Sequence, residues 1–196
     1  MRILAFVDMH GSAHAMVELK KKAKSADLII CAGDYTQFEH NNEQIMKVIA
    51  ELKKPVVIIH GNHEEASIVK ASAAKYKNIA FIHAGFLRIK PYLFIGWGGG
   101  GFSDRDEGFE AFAKKIKKEI NKDDKVILVT HAPPYNTAAD DLPQHHCGNK
   151  SIRNFIDEVK PVLAVSGHIH ETAGRFSKVG PTMVVNPGPK GMYLQV

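Results

Sequence analysis

Six short apolar runs punctuate this chain: Ile3–Val7, Leu28–Ala32, Val56–Ile59, Leu93–Ile95, Val126–Val129 and Val162–Val165. They are rich in Val, Ile and Leu and show little apolar–polar alternation, the pattern of strands covered on both faces. Between them the period changes to that of a helix. Ala13, Met16, Leu19 and Ala23 share one face, and Ile45, Val48, Ile49 and Leu52 share another. Phe109, Phe112, Ala113, Ile116 and Ile120 make a third stripe, and Ile152, Phe155, Ile156 and Val159 a fourth. Such stripes are the core faces of helices. The pair Asn41 and Gln44, ahead of the second stripe, reads as a capping box. After residue 170 the helical period stops. Gly174–Lys178, Thr182–Val185 and Met192–Val196 read as strands between Gly and Pro turns, which predicts antiparallel or mixed sheet there. Strands alternating with helices predict α/β layering.

Composition narrows the picture. With 196 residues, 44% hydrophobic and 24% charged, the chain matches an ordinary globular protein, and residues 1–196 are expected to form a single domain. No apolar run approaches the roughly 18 residues of a membrane span, so no membrane partner is expected. Ile3–Val7 ends in the charge of Asp8, unlike a signal peptide. Two cysteines, Cys31 and Cys147, give no disulfide framework, and Cys31 reads as a buried thiol. Together these point to the cytoplasm. The net charge is +5, with lysines clustered at 20, 21, 22 and 24 and at 114, 115, 117 and 118. Both clusters fall in helical patterns and read as solvated faces rather than a nucleic-acid groove.

The chemistry lies just past the apolar runs. Asp8-Met9-His10 follows the first, Gly33-Asp34 the second, and His60-Gly61-Asn62-His63-Glu64 the third. Thr130-His131-Ala132-Pro133-Pro134 follows the fifth and Ser166-Gly167-His168-Ile169-His170 the sixth. In open α/β sheets, sites form beyond the carboxyl ends of strands, so separate stretches would deliver carboxylate, imidazole and amide groups to one place. Gly33, Gly61 and Gly167 would let the backbone turn sharply and approach an ion or phosphate. Asp8, His10, Asp34, Asn62, His131, His168 and His170 are too many ligands for one tetrahedral site. They suit two divalent ions about 3.5–4 Å apart sharing one carboxylate, for which Asp34 is the natural bridge. Mixed carboxylate and imidazole donors favour manganese, iron or zinc over calcium or magnesium.

The ordered series Asp8-x-His10, Gly33-Asp34, Gly61-Asn62-His63-Glu64, His131 and Gly167-His168-x-His170 resembles the calcineurin-like metallophosphoesterases. The likeness runs from residue 3 to about 190. Thr130-His-Ala-Pro-Pro, Gly167-His-Ile-His-Glu and Val185-Asn-Pro-Gly look most like its small phosphodiesterase-type members. The resemblance implies an α/β sandwich of two mixed β-sheets flanked by α-helices. It implies that Asp8, His10, Asp34 and His170 hold one metal, and Asp34, Asn62, His131 and His168 the other. Manganese is the first candidate, with iron, zinc or nickel also fitting. His63 would be catalytic rather than a ligand, protonating the leaving oxygen or stabilising charge in the transition state. The implied reaction is in-line attack of a metal-activated water on a phosphate ester. Gln37 stands where the purple acid phosphatases carry a tyrosine ligand, which disfavours that branch.

The expected partner is a small phosphodiester, a cyclic nucleotide being one candidate. Phosphomonoesterase or nuclease action on the same metals is the alternative, and a non-catalytic scaffold would have been expected to lose ligands that this chain keeps. Gly98–Gly101 lacks the Lys-Ser/Thr of a P-loop and is expected to be a mobile loop beside the site. His145-His146-Cys147 lacks a second ligand pair and reads as part of a pocket-shaping loop spanning Pro133–Gly148. His14, His40, His60 and His83 read as surface or packing residues, with His60 a candidate to support the ligands. Arg105 and Arg175 are candidate phosphate contacts.

Overall fold

The computed structural model describes residues 1–143 and 145–196. The first half runs β1 (Arg2–Phe6), α1 (Ala13–Ala23), β2 (Leu28–Cys31), α2 (Asn42–Ala50), β3 (Val56–Ile58), α3 (Ala66–Ala73) and β4 (Ile79–Phe81). The second half continues with β5 (Gly85–Ile89), β6 (Tyr92–Trp97), α4 (Glu107–Ile116), β7 (Lys125–Thr130), β8 (Asp141–Leu142), β9 (His145–His146), α5 (Lys150–Val159) and β10 (Leu163–Val165). It ends with β11 (Phe176–Val179), β12 (Thr182–Val185) and β13 (Met192–Gln195). One sheet has the order β13-β1-β2-β3-β4, parallel except for β13, and the other the order β11-β12-β10-β7-β6-β5, parallel except for β11 and β5.

The unbroken apolar runs are explained by this layering. Along β1 and just past its end, Ile3, Ala5 and Val7 point toward the second sheet, where they meet residues such as Phe94, Ile127, Val129 and Val165. Leu4 and Phe6 point the other way, against Leu19 of α1, Met46 and Ile49 of α2 and Val69 of α3. The second sheet repeats the arrangement, with Ile95, Leu128 and Ala164 facing Phe109 and Ile116 of α4 and Ile152 and Phe155 of α5. Both faces of both sheets are thus covered, giving helix, sheet, sheet and helix layers. Each fully buried Ile, Leu or Phe there contributes about 1.5–3 kcal/mol. No described helix is long and apolar enough to cross a membrane.

The capping box at Asn41 is not formed. Asn41 has φ +55° and its side chain makes no cap hydrogen bond, because a left-handed backbone does not carry the side chain over the first turn as an extended N-cap does. The next asparagine serves the core instead. Asn42 is buried, accepts from the Tyr35 hydroxyl and donates to Ser72.

Candidate metal centre

The parallel strands deliver their following loops to one end of the sandwich. Asp8 follows β1, Asp34 follows β2, and Asn62 and His63 follow β3, all in the first sheet; His131 follows β7, and His168 and His170 follow β10, in the second. Backbone hydrogen bonds fix the first two loops against each other, from Asp8 to the Gly33 carbonyl at 3.2 Å and from His10 to the Asp34 carbonyl at 3.0 Å. Asp8, His10, Asp34 and His168 have φ of +54°, +46°, +48° and +70°. Left-handed backbone is uncommon outside glycine and concentrates at functional sites. Gly33 and Gly61 meet face to face, and a Cβ on Gly33 would lie 2.5 Å from the Gly61 nitrogen. The close approach that these glycines permit is therefore between loops and onto the Asp34 carboxylate.

The side chains fall into two groups joined by Asp34. Asp8, His10 and His170 place ligand atoms within 4.8 Å of one another, and the two Nε2 atoms of His10 and His170 are 3.1 Å apart. On the other side, Asn62 Oδ1 lies 2.9 Å from His131 Nε2 and 2.8 Å from His168 Nδ1. Asp34, 2% exposed, lies between, with Oδ2 3.3 Å from His131 Nε2, 3.9 Å from His10 Nε2 and 3.8 Å from His63 Nε2. His63 thus reaches the Asp34 carboxylate as closely as His10 does.

The chemistry of this donor set fits cations. A neutral His131 that donates Nδ1–H to the Ala32 carbonyl, 3.0 Å away, turns the lone pair of Nε2 toward two oxygens, those of Asn62 and Asp34. That arrangement repels unless a proton or a cation lies between them. Burial pulls the His131 imidazolium down, but the Asp34 carboxylate outweighs it and holds its pKa above the usual value. Burial would raise Asp34, yet the His131 bond and the His63 backbone N–H bring it to about 2. Burial raises Asp8 and lowers His10, and it brings His168 to about 4. The lowered His10 and His168 and the ionised Asp34 match the protonation states that metal binding requires, whereas the raised Asp8 and His131 are groups from which a bound cation would displace protons. Among the described residues, the buried His168 Nε2 has no hydrogen-bond partner.

One supporting residue escaped the sequence reading. Glu64 is buried, and its Oε2 accepts from the backbone of Asp34 at 3.0 Å and Gly61 at 2.9 Å. Its Oε1 accepts from the Thr36 backbone and hydroxyl, both at 2.8 Å. One carboxylate thereby holds the Asp34 loop to the loop carrying Asn62 and His63. Asp140 does the same for the segment 133–148, accepting from the backbone of Asn136, Thr137 and Gly148 and pairing with His146 Nδ1 at 2.9 Å. Arg105 pairs with Glu110 and Arg175 with Asp141, so neither bonds a residue of the centre.

His60 and His83 form a packed pair behind the centre, ring centroids 4.5 Å apart. Gly98 and Gly99 lie against His60, and Gly98 donates its N–H to His83 Nδ1 at 2.9 Å. Burial and then the neighbouring His60 bring His83 to about 4, with Asp106 opposing weakly. Its folded pKa is below the unfolded value of roughly 6.5, so the stability it contributes is complete above that value and is lost as pH falls toward 4. On this basis His83→Asn, which keeps an acceptor for Gly98 without a titrating ring, is expected to flatten the acid limb of stability. The expected difference is on the order of 2 kcal/mol between pH 6.5 and 4, after discounting for partial exposure. Urea titrations at each pH measure it, and equal acid limbs in the two proteins would refute it.

The family model for calcineurin-like phosphoesterases matches residues 1–172. The chain belongs to the calcineurin-like phosphoesterases. An uncharacterized protein of Methanocaldococcus jannaschii is 33% identical over 205 residues, covering 99% of this chain and 91% of that one. Among solved structures, a protein of Thermus thermophilus has a TM-score of 0.77 at 21% identity, over 96% of this chain and 90% of that chain. A dimetal phosphatase from Danio rerio has a TM-score of 0.66 at 12% identity, over 94% and 86%. A phosphopantetheinyl hydrolase from Mycobacterium tuberculosis has a TM-score of 0.64 at 15% identity, over 95% and 88%. These structural likenesses concern the fold. As a family member, the chain is a metal-dependent phosphoesterase of the metallo-dependent phosphatase fold, with Asp and His clusters that could bind divalent metals.

Proposed function

We propose that this phosphoesterase is a two-metal enzyme that prefers phosphodiesters, with residues 1–196 working as one domain. Asp8, His10, Asp34 and His170 hold one ion and Asp34, Asn62, His131 and His168 the other. Two such ions would supply Lewis acidity toward the phosphoryl oxygens and a water of lowered pKa. The remaining roles fall to the protein. Asp34 keeps its charge beside three imidazoles, Glu64 and the loop backbones fix the ligand spacing, and His63 stands at the edge of the cluster where it can protonate a departing alkoxide.

The observation that carries the diester preference is the lining of the two cavities at the centre. A cleft of about 370 Å³ is bounded by Phe38, Glu39, Asn62, His63, Glu64 and Glu65. A groove of about 440 Å³ beside His10 runs between α1 and α2. Neither lining includes a lysine or arginine, and Glu39 and Glu65 bring carboxylates to the first. A terminal phosphate dianion calls for added cationic donors, usually arginine, whereas a diester carries one charge. Manganese is the metal we assign first, from the mixed carboxylate and imidazole donors.

Dialysis against a chelator should abolish hydrolysis and Mn²⁺ should restore it. With Mn²⁺ present, kcat/KM for bis-p-nitrophenyl phosphate should exceed that for p-nitrophenyl phosphate. Undiminished activity after verified demetallation would sink the metal mechanism, and a monoester advantage of roughly a hundredfold or more, about 2.7 kcal/mol, would overturn the diester preference alone.

A further inference from the structure

Phe38 and Phe102 are each 72% exposed, the most of any large apolar side chain described. Both lean on histidines of the centre. Phe38 lies against His63, ring centroids 4.2 Å apart with planes at 32°, and Phe102 against His168 at 4.6 Å and 52°. In order of contact the two rings bracket the cluster: Phe38, His63, Asp34, His131, His168, Phe102. Phe38 also has φ +48°, a costly backbone for a bulky side chain. Its ring gains little from burial, so packing alone does not account for the conformation, and strain of this kind concentrates at functional positions. Phe102 follows Gly98–Gly101, a loop anchored by the Gly99 N–H on the His60 carbonyl at 3.0 Å.

We propose that Phe38 and Phe102 are stacking platforms for two planar, nucleobase-like rings, one on each ester arm of the substrate. This deepens the phosphodiesterase reading and rests on it. An exposed aromatic face stacks on any flat heterocycle without a hydrogen-bonding code. Phe38 adjoins His63, assigned to the leaving oxygen, and so takes the departing arm. Phe102 adjoins His168 and takes the arm that stays. The Glu39 and Glu65 carboxylates by Phe38 disfavour a polyanion. The class selected is a singly charged diester with two rings, a dinucleoside monophosphate, rather than a cyclic nucleotide with one.

The test uses full-length, metal-loaded protein and two probes, bis-p-nitrophenyl phosphate with two rings and methyl p-nitrophenyl phosphate with only the departing ring. Phe102→Ala should cut the preference for the two-ring probe roughly tenfold, chiefly through KM. Phe38→Ala should lower kcat/KM for both probes by a similar factor, and Phe→Trp at either position should recover most of the loss. Phe38→Gly, which relaxes the positive φ, should share the kinetic defect while keeping Tm at or above that of the parent, which separates lost stacking from lost folding. Calorimetry with thymidylylthymidine should show binding roughly tenfold weaker in each alanine variant. Parent-like binding in both variants, or no binding to the parent, overturns the platforms. If the parent hydrolyses neither diester yet binds thymidylylthymidine in a phenylalanine-dependent way, the phosphodiesterase reading falls and the platforms stand.

Discussion

Glu64→Gln is expected to destabilise the protein by about 3 kcal/mol and to reduce activity with it. The carboxylate accepts four hydrogen bonds, two on each oxygen. An amide can accept on one side only. Its best orientation keeps its oxygen toward Asp34 and Gly61 and turns NH₂ toward Thr36, whose hydroxyl can reverse and accept. The Thr36 backbone N–H cannot, and is left buried facing another donor. An orphaned buried group costs about 1–3 kcal/mol, and the charge-assisted bonds to the other donors weaken as well. Burial already pushes the Glu64 carboxyl above its ordinary pKa, so removing the charge returns part of the loss. For a chain of this size about 3 kcal/mol corresponds to a drop in Tm of about 10 °C. The melt is best recorded with chelator present, so that bound metal does not mask the difference. A shift within about 2 °C would show that the two loops hold their positions without the carboxylate.

His63→Ala should lower kcat roughly 10²–10⁴-fold, the usual contribution of general acid catalysis, while both metals stay bound. His168→Ala should instead lower occupancy of one site. The contrast matters because His63 Nε2 is 3.8 Å from Asp34 Oδ2, close to the 3.9 Å of the assigned ligand His10. Distance therefore does not separate the two roles, and metal content does. Elemental analysis that finds one metal lost from His63→Ala and two kept in His168→Ala would reverse the assignments. A leaving group of low pKa should shrink the His63→Ala defect, since such a group departs without a proton.

The core strands β1, β2, β3, β6, β7 and β10 were legible because both sheets are covered on both faces, so Ile3–Val7 or Val126–Val129 has no polar residue to interrupt it, whereas the short β4, β8 and β9 offer too few residues for a pattern. α1 and α5 were legible because their apolar stripes match the faces they bury. α3 was not: over Ala66–Ala73 it buries only Val69, Ser72 and Ala73, too little for a stripe. β5 is an edge strand with Phe86 and Ile89 exposed, so neither alternation nor an apolar run marks it. Asn41 had the composition of a cap and the wrong backbone. The ligand candidates stood out because each follows an apolar run, and the fold brings all seven, with His63, to one end of the sandwich. Glu64 stood inside a quoted motif, but its role depends on Asp34 and Thr36, 30 and 28 residues away in sequence. Phe38 and Phe102 left no trace in any pattern, since an exposed aromatic in a loop has no period to belong to.

The centre draws Asp8, Asp34 and Asn62 from one sheet and His131, His168 and His170 from the other. The His168 backbone reaches Asp8 Oδ2 at 3.0 Å and His131 Nδ1 reaches the Ala32 carbonyl at 3.0 Å. The site is therefore also a seam. Sliding one sheet past the other would pull the ligand set apart before it disturbed either sheet's own ladder. The registration of the whole sandwich is thus part of the centre, and a substitution deep in the inter-sheet core, far from Asp34, acts on the chemistry to the extent that it shifts one sheet against the other.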